Sequence, residues 1–322
     1  MVQLYAGNPV TGNDFIGREN EIDYIVELLR LRQNIVLIAP RRYGKTSLLL
    51  KVLSKIENPN MYSAFIDLFS IPTIEMLPQQ ITTEVLKNHR LDKAFSTTKE
   101  NALAMLKNIK LKAAIEDFEF ILSFSNQKEN SWDLLGKSID FIDAFPQKHQ
   151  KEMVCVFDEF GDIKKLDGNK IVKLFRSKIQ LHKNTSYLFS GSYESVMSNL
   201  FLEKNAPFFR FARILKLTEI EKDKFFEFYK IQLQKQQIKT EDNYLNQILD
   251  FTRGHPYYSQ LALQEIIIFN ALNKKIPGFN ELLLHMLNTE KSYIEKSWEE
   301  ISSSKENVRV ILAIVESTKG IY

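Results

Sequence analysis

The chain has 322 residues, 44% of them hydrophobic and 26% charged, with a formal net charge of +3. These are the proportions of a globular protein, long enough for about two domains and a sizeable core. No apolar run nears the ~20 residues of a membrane span, the first residues lack the basic and apolar stretches of a signal peptide, and the single cysteine, Cys155, excludes an internal disulfide, so a cytoplasmic chain with no membrane partner is expected.

In chain order, residues 13–31 read as a loop and then a helix, with Ile22, Ile25, Val26 and Leu29 at helical spacing. Residues 34–39, Asn-Ile-Val-Leu-Ile-Ala, are a short run rich in β-branched side chains and predict a buried strand. Gly44-Lys45-Thr46 follows, and then a helix carrying Leu48, Leu49, Val52, Leu53 and Ile56. Residues 61–69 predict a second strand. Residues 72–150 predict a mostly helical, polar insertion. A third strand, Met153 to Phe157, ends in Asp158 and Glu159. Residues 168–184 predict a helix with Ile171, Leu174, Phe175 and Ile179 on one side. Residues 185–192 and 212–220 predict the fourth and fifth strands. From Glu221 the pattern is helical, interrupted at 252–258.

Strands alternating with helices predict an α/β fold, a parallel sheet covered on both faces. The boundaries expected are a core over 1–218, a helical domain over 219–304, and a terminal helix over 305–322. In that last helix Val308, Val310, Ile311, Ile314 and Val315 need a partner.

The strand before Gly44, the loop and the helix after it fall in the order that a phosphate-binding loop requires. The expected cradle runs through Ala39, Pro40, Arg41, Arg42, Tyr43, Gly44, Lys45, Thr46 and Ser47. Backbone N–H groups at a helix N-terminus meet phosphate charge, and the helix dipole helps. Gly44 lets the backbone come close. Lys45 supplies a cation for the β and γ phosphates, and Thr46 a hydroxyl for Mg²⁺. Ala39 stands where the G-x-x-x-x-G-K-[ST] pattern has its first glycine. Alanine serves there if its φ is negative, so a working loop is expected.

Asp158 and Glu159 end a buried strand about 110 residues later, at the sheet edge where open α/β folds bind ligands. Asp158 is placed to hold Mg²⁺, and Glu159 to activate the attacking water. Lys45, Asp158 and Glu159 are therefore the expected catalytic groups. Ser190 and Ser192, at the end of the fourth strand, are candidates to sense a γ-phosphate. Arg210 and Arg213 are weighed as phosphate contacts in cis or from a neighbouring subunit, against the simpler reading of surface arginines. Arg176 and Gln180 are weaker candidates. Cys155 reads as a core residue.

These stretches, with residues 15–22, 65–69, 156–163, 175–197, 207–217 and 254–258, resemble prokaryotic P-loop ATPases of the archaeal-ATPase group, a STAND branch near AAA+ proteins. The resemblance implies an additional-strand P-loop core followed by a helical lid. It implies that Phe15, Ile16 and Gly17 lie near the adenine, and that Pro256, in Gly254-His255-Pro256, is the lid's contact with the nucleotide. It also implies that residues 305–322 begin a truncated winged helix.

The expectation is a Mg²⁺-dependent ATP-hydrolysing switch, ATP and Mg²⁺ its cofactors, acting with a protein effector or by self-association. The rival reading is a nucleotide-holding scaffold for DNA or a protein effector, with little hydrolysis. The basic helix at 169–183 is its best feature, and the 72–150 insertion its best docking surface. A kinase lacks an evident acceptor site.

Overall fold

The computed structural model describes residues 7, 9–10, 15–57, 60–88 and 130–317. The chain divides into two compact units, one of Pro9–Glu219 and one of Met1–Asn8 with Ile220–Tyr322.

In the first unit the elements run α1 (Glu19–Arg30), β1 (Ile35–Ile38), α2 (Lys45–Ile56), β2 (Met61–Asp67), α3 (Met76–Leu86), α4 (Ser131–Lys148), β3 (Glu152–Asp158), α5 (Ile163–Ile179), β4 (Thr185–Gly191), α6 (Glu194–Phe201) and β5 (Arg213–Lys216). Among the described residues the strands form one parallel sheet in the order β2-β3-β4-β1-β5. β4 is thus the additional strand between β1, which leads into Gly44-Lys45-Thr46, and β3, which ends in Asp158.

Alternate side chains of each strand face opposite layers. One face puts Val36, Ile38, Ile66, Cys155, Phe157, Tyr187 and Phe189 into a core with α3, α4, α5 and α6. The other puts Ile35, Leu37, Val154, Val156 and Leu188 against α1 and α2 through Ile25, Leu29, Leu48, Leu49 and Val52. All four β1 residues are buried; each such side chain stabilises by about 1.5–3 kcal/mol relative to exposure. Phe157 and Phe189 stack with ring centroids 6.0 Å apart and planes 10° apart. They immediately precede Asp158 and Ser190, so this aromatic pair holds the two strand ends beside each other.

Two expectations change. The described parts of the 72–150 insertion are core helices: α3 buries Leu77, Ile81 and Val85, and α4 buries Leu135, Ile139, Ile142 and Phe145. Polar residues on their outer faces masked that periodicity. Residues 89–129 of the insertion lie outside the described residues. The helix expected over 168–184 is also shifted, starting five residues earlier and ending five earlier. α5 begins at Ile163 and breaks its helical backbone at Asp167 and Gly168.

The second unit holds α7 (Lys222–Lys235), α8 (Asp242–Thr252), α9 (Pro256–Asn273), α10 (Phe279–Ser302) and α11 (Lys305–Glu316). Its core includes Phe225, Tyr229, Leu245, Leu249, Leu263 and Ile266. The break at 252–258 is a turn: Arg253 and Gly254 take positive φ, and Pro256 opens α9 at its first position, where its missing N–H is no loss. α11 buries none of its residues; Val310, Leu312, Ile314 and Val315 are exposed.

Candidate active site

β1 delivers the chain to the loop at Ala39, which is buried and donates its N–H to Gly191 O at 3.4 Å. Positive φ among the loop's non-glycine residues occurs at Arg42 and not at Ala39. An alanine therefore meets the backbone requirement at the loop's first position. Gly44 has φ 81° and ψ 22° as the N-cap of α2. That left-handed conformation is open to glycine without strain, and it turns the chain so that α2 starts at Lys45.

Lys45 is buried, and its Nζ donates to Ser192 Oγ at 2.6 Å, Ala39 O at 3.1 Å and Pro40 O at 3.4 Å, with Glu159 Oε1 at 3.5 Å. Burial lowers its pKa from the usual lysine range, and the Glu159 and Asp158 carboxylates oppose that shift. Thr46 Oγ1 donates to Asp158 Oδ2 at 2.8 Å. Asp158 Oδ1 accepts from the Ser190 hydroxyl and, at 3.0 Å, from the Glu159 N–H. The carboxylate of Glu159 accepts from the Ser192 hydroxyl and, at 3.1 Å, from the Ser192 N–H. Lys45 and Thr46 from the start of α2, Asp158 and Glu159 from the end of β3 and just past it, and Ser190 and Ser192 from the end of β4 and just past it thus converge at the C-terminal edge of the sheet.

Over residues 15–261 the chain matches the family described as the ATPase domain predominantly from Archaea. The chain belongs to this family. Among solved structures, the Walker-type ATPase PABY2304 of Pyrococcus abyssi is similar at 18% identity and TM-score 0.68, covering 96% of this chain and 82% of that one. The ORC2 protein of Aeropyrum pernix, solved in ADPNP–ADP complexes, is similar at 12% identity and TM-score 0.53, covering 86% of this chain and 70% of that one. These likenesses show the fold, that of a P-loop NTPase. No curated protein matches the chain.

In this ATPase domain the remaining candidates divide. Ser47 is buried, and its Oγ accepts from Val10 N–H at 2.8 Å. Tyr43 donates its hydroxyl to Glu219 Oε1 at 3.2 Å. Phe15 is half-buried against the core cluster that contains Ala39, Ile16 is half-buried, and Gly17 has φ 55°. Arg18, which follows them, donates to Thr218 O at 2.6 Å. Arg41 lies over the Tyr193 ring at 5.1 Å. Pro256 belongs to the second unit.

The arginine candidates do not join the cluster. Arg213 pairs in register with Ile35, at the start of β1, so it sits at the sheet edge opposite the loop; its Nη1 donates to Tyr24 Oη at 2.6 Å. A contact from Arg213 to phosphates in its own chain is therefore ruled out by the strand direction. Arg210 lies three residues earlier, its guanidinium over Phe209 at 5.3 Å. Arg176 donates to Pro207 O at 3.0 Å and packs on Phe211 at 4.6 Å. Gln180 donates to Ser177 O at 3.3 Å. Cys155 is a buried thiol, its pKa pushed up by burial, in keeping with a core role.

Sequence reasoning missed Asp67. It ends β2 in register with Asp158 on β3. Burial, joined by the neighbouring carboxylates of Asp158, Glu159 and Asp162, raises its pKa; the hydrogen bond from Phe69 N–H opposes this. The available signal was a strand ending in an acid, but only the sheet order shows that β2 adjoins β3.

Proposed function

We propose that this ATPase domain binds Mg-ATP at the Lys45 cluster and hydrolyses it slowly, as a switch that governs how the two units are arranged. The observation that carries the reading is the convergence of Lys45 and Thr46 with Asp158 and Glu159 across more than 110 residues of chain. The nucleotide complexes of the Aeropyrum pernix relative support nucleotide use.

The residues present fit Mg²⁺: the Thr46 hydroxyl and the Asp158 carboxylate put two hard oxygen donors 2.8 Å apart. When bound, Mg²⁺ supplies neutralising charge for the phosphates. Thr46 and Asp158 would hold it. The amides that open α2 bind phosphate oxygens, and Lys45 exchanges its present acceptors for them. Glu159 takes a proton from the attacking water as its oxygen bonds to the γ-phosphorus and the bond to the leaving ADP oxygen breaks. A positioned base of this kind contributes about 10²–10⁴-fold.

The proposal includes a cytoplasmic setting and a protein effector or second copy as partner; the exposed apolar residues of α11 are in keeping with such a partner. A DNA-holding scaffold has less support. Along the basic helix, Lys178 bonds Asp140 at 2.6 Å, Lys170 lies 3.8 Å over Trp132, and Arg176 packs on Phe211. These cations are engaged within the chain.

Phosphate release by wild type and Glu159→Gln, with and without duplex DNA, tests the reading. Calorimetry of Mg-ATP binding accompanies it. The expected result is that wild type turns over, while the variant binds ATP equally and turns over at least about 100-fold more slowly. Equal inertness of both proteins with ATP still bound would replace the switch with a scaffold.

A further inference from the structure

Along β4 and just past it, Ser190, Gly191 and Ser192 alternate sides. A Cβ on Gly191 would lie 2.4 Å from Met197 Sδ, so the position between the two serines faces α6 at close approach. The flanking hydroxyls turn the other way, toward the two acids. Ser190, fully buried, donates to Asp158. Ser192 donates through both its hydroxyl and its N–H to Glu159, one donor to each carboxylate oxygen. The same Ser192 hydroxyl accepts from Lys45 Nζ at 2.6 Å.

We infer that Ser192 is a positioning residue that acts on hydrolysis through Glu159, rather than a direct sensor of the γ-phosphate. The inference deepens the ATPase reading and rests on it. Two donors spaced along one residue fix both the position and the plane of the Glu159 carboxylate. The left-handed backbone of Glu159, at φ 49°, is a conformation a non-glycine residue adopts only when its surroundings hold it. Ser192 is also the link between the phosphate-binding ammonium and the base: phosphate oxygens compete with its hydroxyl for Lys45, and the hydroxyl remains a donor to Glu159 whichever acceptor Lys45 takes.

The test is a kinetic and binding comparison of Ser192→Ala, Ser192→Thr, Glu159→Ala and the double variant Ser192→Ala/Glu159→Ala. Ser192→Ala keeps the N–H donor and loses the hydroxyl. It is expected to lower kcat by about 10–100-fold, with ATP and ADP affinities each within about 3-fold of wild type. Ser192→Thr, which restores a hydroxyl, recovers most of the rate. In the Glu159→Ala background, removal of the Ser192 hydroxyl slows single-turnover hydrolysis no further. The inference is overturned if Ser192→Ala weakens ATP by about tenfold or more while sparing ADP, the mark of direct phosphate contact. It is overturned too if the two substitutions lower the rate additively.

Unfolding in urea, without nucleotide, reads the same pair independently of turnover. The midpoint losses of Ser192→Ala and Glu159→Ala are expected to fall short of additivity in the double variant. Full additivity overturns the positioning role. A wild type that never hydrolyses ATP, yet shows this coupling, would overturn the ATPase reading and leave the Ser192–Glu159 link standing.

Discussion

Thr46 Oγ1 donates to Asp158 Oδ2 at 2.8 Å although the two residues are 112 positions apart in the chain. The contact makes the proposed metal ligands a pair. Thr46→Ala removes one oxygen donor and leaves Asp158 with the Ser190 hydroxyl and the Glu159 N–H. A hydrogen bond to a charged group contributes about 1.5–3 kcal/mol, or roughly 10–100-fold in a binding constant. ATP affinity should fall by that factor in excess Mg²⁺ and change much less in EDTA; Thr46→Ser should retain it. Calorimetry at both conditions decides.

Lys45→Met separates binding from folding. The ammonium is buried, and its burial disfavours the charged form, so methionine removes a desolvation cost together with the hydrogen bonds. Glu159 keeps both donors from Ser192. The expected outcome is an ATP affinity at least about 10-fold weaker, with an unfolding free energy lower by no more than about 3 kcal/mol, because Glu159 and Asp158 lose their cationic neighbour. A variant that fails to fold would show that the cation holds the loop rather than a ligand.

Gly44→Ala isolates backbone strain. An added Cβ meets nothing within 4 Å, yet φ is +81°. Left-handed backbone costs an L residue about 1–2 kcal/mol, so denaturant unfolding should show a loss of that size. A neutral substitution would mean that the loop relaxes.

Tyr244 in α8 offers a pH prediction away from the site. Its hydroxyl is buried without a hydrogen-bond partner among the described residues, and burial, with help from Glu281, pushes its pKa up to about 12 from 10.0. Between those values the unfolded chain has lost the proton and the folded chain keeps it. Stability therefore falls as pH rises across that window. Tyr244→Phe should remove this part of the decline. At neutral pH it should be neutral, or stabilising by up to about 1 kcal/mol, because an unpaired buried hydroxyl disappears. Urea unfolding at pH 8 and at pH 11 measures both effects.

The phosphate loop was legible because its signal is local: a β-branched run, Gly44-Lys45-Thr46, then an apolar helical stripe. The Asp158-Glu159 strand end was legible for the same reason. What stayed hidden depends on lateral order. Asp67 gains meaning only because β2 adjoins β3, and Arg213 loses its suggested role within its own chain because β5 runs parallel to β1 and starts at the far edge. α6 was not foreseen because eight residues give barely two turns of periodicity. α3 and α4 read as polar because each buries only one stripe of its residues. Ser190 and Ser192 were picked out as strand-terminal polar groups, but their acceptors lie on a neighbouring strand that no spacing rule links to them.

The mutual pairing of Lys45, Thr46, Ser190 and Ser192 with the two acids has a thermodynamic consequence. An arriving ligand trades contacts one for another rather than assembling a scattered set of groups, so little ordering entropy remains to be lost. Selectivity then lies in small differences between competing acceptors, and a single altered hydroxyl can retune the exchange without disturbing the scaffold beneath it.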